Sequence, residues 1–334
     1  MVILSNVGFG ARWRSPSGEA GEALRAATLG QFVRQLAACD VALVDSSPET
    51  VLRLLALFRL LPWLRKPLIA SDMQLRKPRN WWERLKVALQ RRLLARVDHF
   101  FHLFPDLSGY HKYFGVGPER STFVPFKPNL RDHTDVAPNP EGGYVLGYGF
   151  SLRDFDTFFD AVERLPYPAA IVRPDLVRLR AHHSRFRRAL DQLPPQLRLL
   201  EHDPASYTSQ VEVLMGAKVV VVPMLKDCLQ MSGSVYNAML MGKCVIVTEG
   251  PASNGLFTDE VITAPPEDAD GLAAAIRRAW EDRALRERTA GRGYALAYSL
   301  GGAADYRARL LQATLNWYRS QPASRARAAG AGRA

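Results

Sequence analysis

Residues 230–247 read QMSGSVYNAMLMGKCVIV, and this stretch decides the fold. A small polar turn, Ser232-Gly233-Ser234, opens a helical run, Gly242 closes it, and an apolar run begins at once, which predicts a strand over 245–248. Working outward, strand-like runs at 219–222, 197–200, 169–172 and 144–147 alternate with longer helical patterns. The same rhythm fills the first third of the chain, with strands expected at 2–4, 41–44, 67–70, 99–103 and 122–125. Short apolar runs separated by helices are the pattern of parallel α/β sheets covered on both faces.

Between the two series, residues 126–143, FKPNLRDHTDVAPNPEGG, abandon both periodicities and collect Pro, Asn, Asp and Gly. The expected organisation is therefore a Rossmann-like domain over 1–130, a linker over 131–143, a second Rossmann-like domain over 144–320 that includes closing helices near 270–280 and 284–297, and a disordered Arg/Ala/Gly-rich tail over 321–334. Two such doubly wound units predict a central cleft, with ligands at the carboxyl ends of the strands.

The 334 residues are 47% hydrophobic and carry 44 Lys/Arg against 33 Asp/Glu, which excludes global disorder and points to an anionic partner. Three scattered cysteines, 39, 228 and 244, fit neither a disulfide framework nor a thiolate metal site. The start MVILSNVGFGARWRS reads as a strand rather than a signal peptide, and Arg53 and Arg59 interrupt the most apolar helix. A cytoplasmic protein is expected, with any membrane contact peripheral at the inner face.

The segment Asn237-Ala238-Met239-Leu240-Met241-Gly242-Lys243-Cys244-Val245-Ile246 resembles the E-A-M-A-x-G-K-P-V-[IV] motif of GT-B glycosyltransferases, especially retaining enzymes of the family 4 type. The later stretch APPEDADGLAAAIRRAWEDRALRER is similar to that family's closing segment, so the likeness runs from about 143 to 297. It implies a GT-B fold and transfer of a sugar from a nucleoside diphosphate to a hydroxyl acceptor, in cell-surface polysaccharide or glycolipid synthesis. It implies no cofactor beyond the nucleotide sugar, and a glycan or lipid-linked acceptor. A sugar-nucleotide epimerase or an inactive donor-binding relative would carry the same motifs.

Site residues follow from that resemblance. Ser232, Gly233 and Ser234 open the donor helix, where free N–H groups and hydroxyls suit a phosphate, although a serine N-cap reads equally well. The family's ribose-binding glutamate falls on Asn237, which is as consistent with a plain helix-surface role, and Arg173 is assigned to the nucleotide with it. In Gly147-Tyr148-Gly149-Phe150-Ser151-Leu152-Arg153 the family's diphosphate-binding cation falls on Arg153; the alternative is a surface ion pair with Asp154 or Asp156. Lys226 is a second candidate cation. Asp72 occupies the place of a catalytic or acceptor-facing acid, or else is a helix cap or a loop acid. Gly8 and Gly10 form a cleft loop or an ordinary turn. His99 and His102 alternate with core aromatics, and no D-x-D motif occurs, so no metal is expected.

Residues 53–96 hold twelve Lys/Arg against Asp72 and Glu83, and Trp82, Leu85, Leu89 and Leu93 share one helical stripe within them. The stripe suits an anionic bilayer, or it packs on the sheet and leaves only the arginines in water. A nucleic-acid partner is disfavoured, because no nucleic-acid motif and no ladder of stacking aromatics accompanies the charge.

Overall fold

The computed structural model describes residues 1–321 except 204, 227, 230–232 and 252. Of the tail expected over 321–334, residues 322–334 lie outside the described residues. The chain divides into two compact units, the first formed by Met1–Pro125 and the segment from Ala304 onward, the second by Phe126–Ala303.

The first unit runs β1 (Val2–Ser5), β2 (Arg12–Arg14), β3 (Ala20–Arg25), α1 (Leu29–Gln35), β4 (Val41–Asp45), α2 (Pro48–Leu60), β5 (Leu68–Ser71), α3 (Trp81–Leu94), β6 (His99–His102), α4 (Ser108–Phe114) and β7 (Ser121–Phe123). Its sheet has the order β2-β3-β1-β4-β5-β6-β7, and only the β2–β3 pair is antiparallel. All five expected strands are present. β2 and β3 are additional: RWR and AGEALR lack the β-branched density of a strand, and tertiary packing makes them one. Trp13 is buried and its indole N–H donates to the Glu22 carbonyl, while Gly21 lies so close that an added Cβ would stand 2.3 Å from the Trp13 ring.

The second unit runs β8 (Tyr144–Gly147), α5 (Phe155–Val162), β9 (Ala169–Val172), α6 (Leu176–Ala181), β10 (Leu197–Leu200), α7 (Tyr207–Met215), β11 (Ala217–Val222), α8 (Gly233–Leu240), β12 (Cys244–Thr248), β13 (Ile262–Ala264), α9 (Ala269–Glu281) and α10 (Arg283–Ser299). Its parallel order, β10-β9-β8-β11-β12-β13, is that of a doubly wound dinucleotide-type sheet. The closing helices start at aspartates: Asp268 accepts from the Gly271 N–H and Asp282 from the Leu285 N–H.

Two boundaries differ from expectation. The first domain ends at 125 rather than 130, because Leu130 is fully buried in the second core. The last helix, α11 (Ala303–Ser320), leaves the second unit for the first and buries Tyr306, Leu310, Leu311, Thr314 and Leu315. Trp317 stacks on His99, Arg309 donates to the Pro125 carbonyl at 3.1 Å, and Arg319 pairs with Glu19. Nothing local in its sequence says which unit the apolar stripe of 310–315 covers.

Candidate active site

In the second unit the chain reverses direction across the sheet between β8 and β11, so their carboxyl ends open the crevice where ligands of such sheets bind. Two loops are knitted there. Leu152 accepts from the Leu225 N–H at 3.0 Å, Pro223 accepts from the Asp154 N–H at 2.7 Å, and Arg153 bridges Met224. The glycines have distinct reasons. At Gly147 a Cβ would come within 2.6 Å of the Phe158 ring, and at Gly149, with φ +109°, within 2.2 Å of the Arg153 Nε.

Arg153 is thus folded over a glycine rather than spread on the surface; it is 3% exposed. Its guanidinium donates to the carbonyls of Ser151 at 2.6 Å and Tyr148 at 3.3 Å, and reaches the Ser234 hydroxyl at 3.4 Å, at the start of α8. The surface ion pairs considered for it do not form, because Asp154 takes Arg185 at 3.1 Å and Asp156 takes Arg187 at 2.6 Å. Burial lowers the Arg153 guanidinium to about 10, still charged at neutral pH. A buried cation beside a helix N-terminus is an anion-binding arrangement. Ser232 lies outside the described residues; Gly233 and Ser234 form the first turn.

Lys226 is exposed, two residues beyond the Met224 bridge. Sequence reasoning missed another cation. The segment 126–130, read as linker, lies over the start of α8: the Asn129 Nδ2 would be 3.0 Å from a Cβ at Gly233, and Lys127 Nζ donates to Asn129 Oδ1 at 2.9 Å. Asn237 places that segment. Its Oδ1 accepts from the N–H of Asn129 at 2.7 Å and of Leu130 at 3.2 Å, and the residue is 4% exposed. Asn237 is therefore not an exposed helix position, and with its oxygen engaged by backbone only its amide N–H groups are left to offer a ribose. Arg173, at the end of β9, is exposed and pairs with Glu201 at 2.6 Å, joining none of these groups.

In the first unit the corresponding reversal lies between β1 and β4. Asp72 sits at the end of β5, with φ +46°, and its Oδ2 accepts from Ser46 Oγ and Gln74 Nε2, both at 2.9 Å. Ser46 also donates to Asp45 Oδ2 at 3.2 Å, so one hydroxyl links two carboxyls. The Tyr306 hydroxyl, from α11, donates to Asp45 Oδ1 at 3.4 Å. Burial raises the Asp72 carboxyl and the Asp45 charge adds to that; burial likewise raises Asp45 and Tyr306. Ser46 and Gln74 also have positive φ, 51° and 46°, so left-handed backbone concentrates where the acids meet. Asp72 is therefore not a helix cap but one member of a half-buried acid pair. Its partner Asp45 ends the strand VALVD and was passed over in the sequence.

The loop carrying Gly8 and Gly10 follows β1, and Asn6 ties it to this cluster by exchanging hydrogen bonds with the Asp45 backbone at 2.7 and 2.8 Å. Gly10 needs its φ of +82°, whereas a Cβ at Gly8 meets nothing within 4 Å. His99 and His102 are core residues. His99 hydrogen-bonds Thr122 at 2.8 Å, and the buried His102 Nε2 has no partner among the described residues. A shallow crevice along the β7 edge, lined by Phe123, Arg309, Gln312 and Trp317 among others, shares none of the site residues.

Residues 180–282 match the family described as Glycosyl transferases group 1. The match falls within the second unit, and the two-unit fold is the one shared with GT-B structures. Among solved structures it is similar to Anabaena HepE in complex with UDP, at 14% identity and TM-score 0.66, over 86% of this chain and 81% of that one. It is also similar to sucrose-phosphate synthase from Thermosynechococcus elongatus, at 16% identity and TM-score 0.64, over 96% and 89%. An α,α-trehalose-phosphate synthase from Burkholderia xenovorans aligns at 15% identity and TM-score 0.59, over 85% and 76%. No curated protein sequence matches the chain.

Proposed function

We propose that the protein transfers a hexosyl group from a nucleoside diphosphate sugar to a hydroxyl of a glycan or lipid-linked acceptor, without metal or other cofactor, as a family 4-type step of cell-surface polysaccharide or glycolipid synthesis. The observation that carries this reading is the buried Arg153 guanidinium set against Ser234 at the start of α8, at the point where the strand order reverses. When the bond from the sugar anomeric carbon to the diphosphate oxygen breaks, that oxygen gains charge. Arg153 and the N–H groups of the first α8 turn stabilise it, and Lys226 and Lys127 add cations of the kind a metal would otherwise supply. The acceptor oxygen forms the new bond, and its proton leaves to a base or to the departing phosphate. Asp72, coupled to Asp45, is the acid we assign to the acceptor or reacting sugar. The complexes of HepE with UDP and with UDP-glucose make uridine donors the first to test.

The test is a thermal-shift panel of UDP, GDP, ADP, TDP and their sugar conjugates on the wild type and on Arg153→Ala. Ligand at a hundred times its Kd stabilises the native state by about 2.7 kcal/mol. One nucleotide should raise the wild-type Tm, and the variant should lose that shift together with about 10²-fold or more of turnover, the cost of a lost transition-state donor. A shift that survives intact in Arg153→Ala overturns the assignment. Conversion of sugar nucleotide without acceptor would identify an epimerase instead.

A further inference from the structure

Helix α3 presents its apolar stripe to solvent. Trp81, Trp82, Leu85 and Leu89 are 59%, 60%, 61% and 61% exposed, although they recur at the spacing of a core-facing helix. At 3.6 residues per turn they occupy one side, and the half-buried or buried Glu83, Val87, Gln90 and Leu94 occupy the opposite side, where α3 meets the protein. Of the expected stripe, Trp82, Leu85 and Leu89 thus do not pack on the sheet, while Leu93 is half-buried. Leu60 and Trp63, at the end of α2 and just beyond it, are 75% exposed in the same unit.

The surroundings are cationic. Arg53, Arg65 and Arg76 have carboxylate partners, but Arg59, Arg84, Lys86, Arg92 and Arg96 hold no ion pair among the described residues. Arg84 and Lys86 flank the stripe on its two sides and Arg92 lies at its carboxyl end. The helix is also formed in advance of any partner. Asn80 caps it by accepting from the Glu83 N–H at 2.9 Å, and Glu83 anchors the approach by accepting from the Arg79 N–H and Arg76.

We infer that this face of α3 is a docking surface for an anionic lipid bilayer, with Trp81, Trp82, Leu85 and Leu89 entering the headgroup–acyl boundary and the flanking cations held at the phosphates. Two properties select the bilayer. A second copy of the same face would bring like charges together. A nucleic-acid backbone offers nothing to bury Leu85 and Leu89 against, and the two indoles stack on each other at 3.6 Å instead of standing apart as platforms for bases. Only an anionic bilayer offers an apolar interior next to a layer of negative charge. This inference gives a surface to membrane-side glycosyl transfer, and so deepens the reading above, but it rests on the first unit alone.

The test is co-sedimentation of the full chain with phosphatidylcholine vesicles and with phosphatidylcholine–phosphatidylglycerol vesicles at about 7:3, in roughly 0.1 M salt. The wild type should partition strongly into the anionic vesicles only. Trp82→Ser with Leu85→Ser and Leu89→Ser, and separately Arg84→Glu with Lys86→Glu, should each weaken partitioning by about tenfold or more while Tm and nucleotide binding stay unchanged, because these side chains face water. Equal affinity for neutral vesicles, indifference to both sets of substitutions, preference for duplex DNA, or dimerisation lost with the serine variant would each overturn the inference. Loss of nucleotide binding in the wild type would instead count against the donor site and leave this surface standing.

Discussion

Asn237→Ala separates a structural clasp from a nucleotide contact. In the wild type one side-chain oxygen accepts from two backbone N–H groups, those of Asn129 and Leu130, at 2.7 and 3.2 Å, and both Asn237 and Leu130 are buried. Removing the oxygen strands two donors at about 1–3 kcal/mol each, or about 2–6 kcal/mol together. For a unit the size of 126–303, about 1 kcal/mol moves Tm by roughly 2–4 °C, so the loss should be roughly 4–24 °C. Differential scanning calorimetry resolves this, with the transition of the second unit followed separately because a chain of two units need not melt in one step. Asn237→Asp keeps an acceptor in place and should recover much of the loss. A Tm unchanged in Asn237→Ala, combined with weakened nucleotide binding, would refute the clasp and restore the ribose contact.

Two further outcomes follow from the geometry. Gly149→Ala puts a Cβ 2.2 Å from the Arg153 Nε at a backbone φ of +109°, so it should displace the guanidinium and abolish the nucleotide thermal shift, while Gly8→Ala, with nothing within 4 Å, should leave that shift intact. Burial lowers His99 to about 4, helped by the Arg120 charge, and His102 to about 3. Both imidazoles stay neutral in the folded chain while the unfolded chain protonates them below its value of about 6.5, so their contribution is present above that pH and is lost as pH falls toward 4. Two protons correspond to a slope of about 2.7 kcal/mol per pH unit, and denaturant titrations from pH 7 to 4 should show His102→Leu halving this part of it.

Strands β9, β11 and β12 were readable because AAIV, AKVVVV and CVIVT are nearly unbroken apolar runs of the kind buried on both faces. Strands β2, β3 and β13 were not, since RWR, AGEALR and ITA are short or lack β-branched density and take their form from neighbours. Arg153 was legible because an arginine ahead of a helix start opposes the helix dipole unless an anion is shared. The backbone clasp at Asn237 was not legible, because family spacing fixes a place on α8 but not which backbone comes to meet it, and Lys127 and Asn129 were hidden in a stretch whose Pro and Asn content reads as linker. The stripe on α3 shows the limit of periodicity, which reports that two faces differ without saying which one meets the protein.

Helix α11 has a bearing on biosynthesis. The ribosome completes β1 to β7 before it reaches 126–303, yet Tyr306 at the Asp45 pair and Trp317 against His99 come from a helix made after that stretch. At about 5–20 residues per second, translation of 126–303 inserts roughly 10–40 s between the nascent sheet and the helix that joins it. During that interval the apolar surface destined for Leu310, Leu311 and Leu315 is bare. The acid pair consequently acquires its tyrosine partner only in chains translated through Tyr306, so products that stop short lack that hydrogen bond even when the second unit has folded in full.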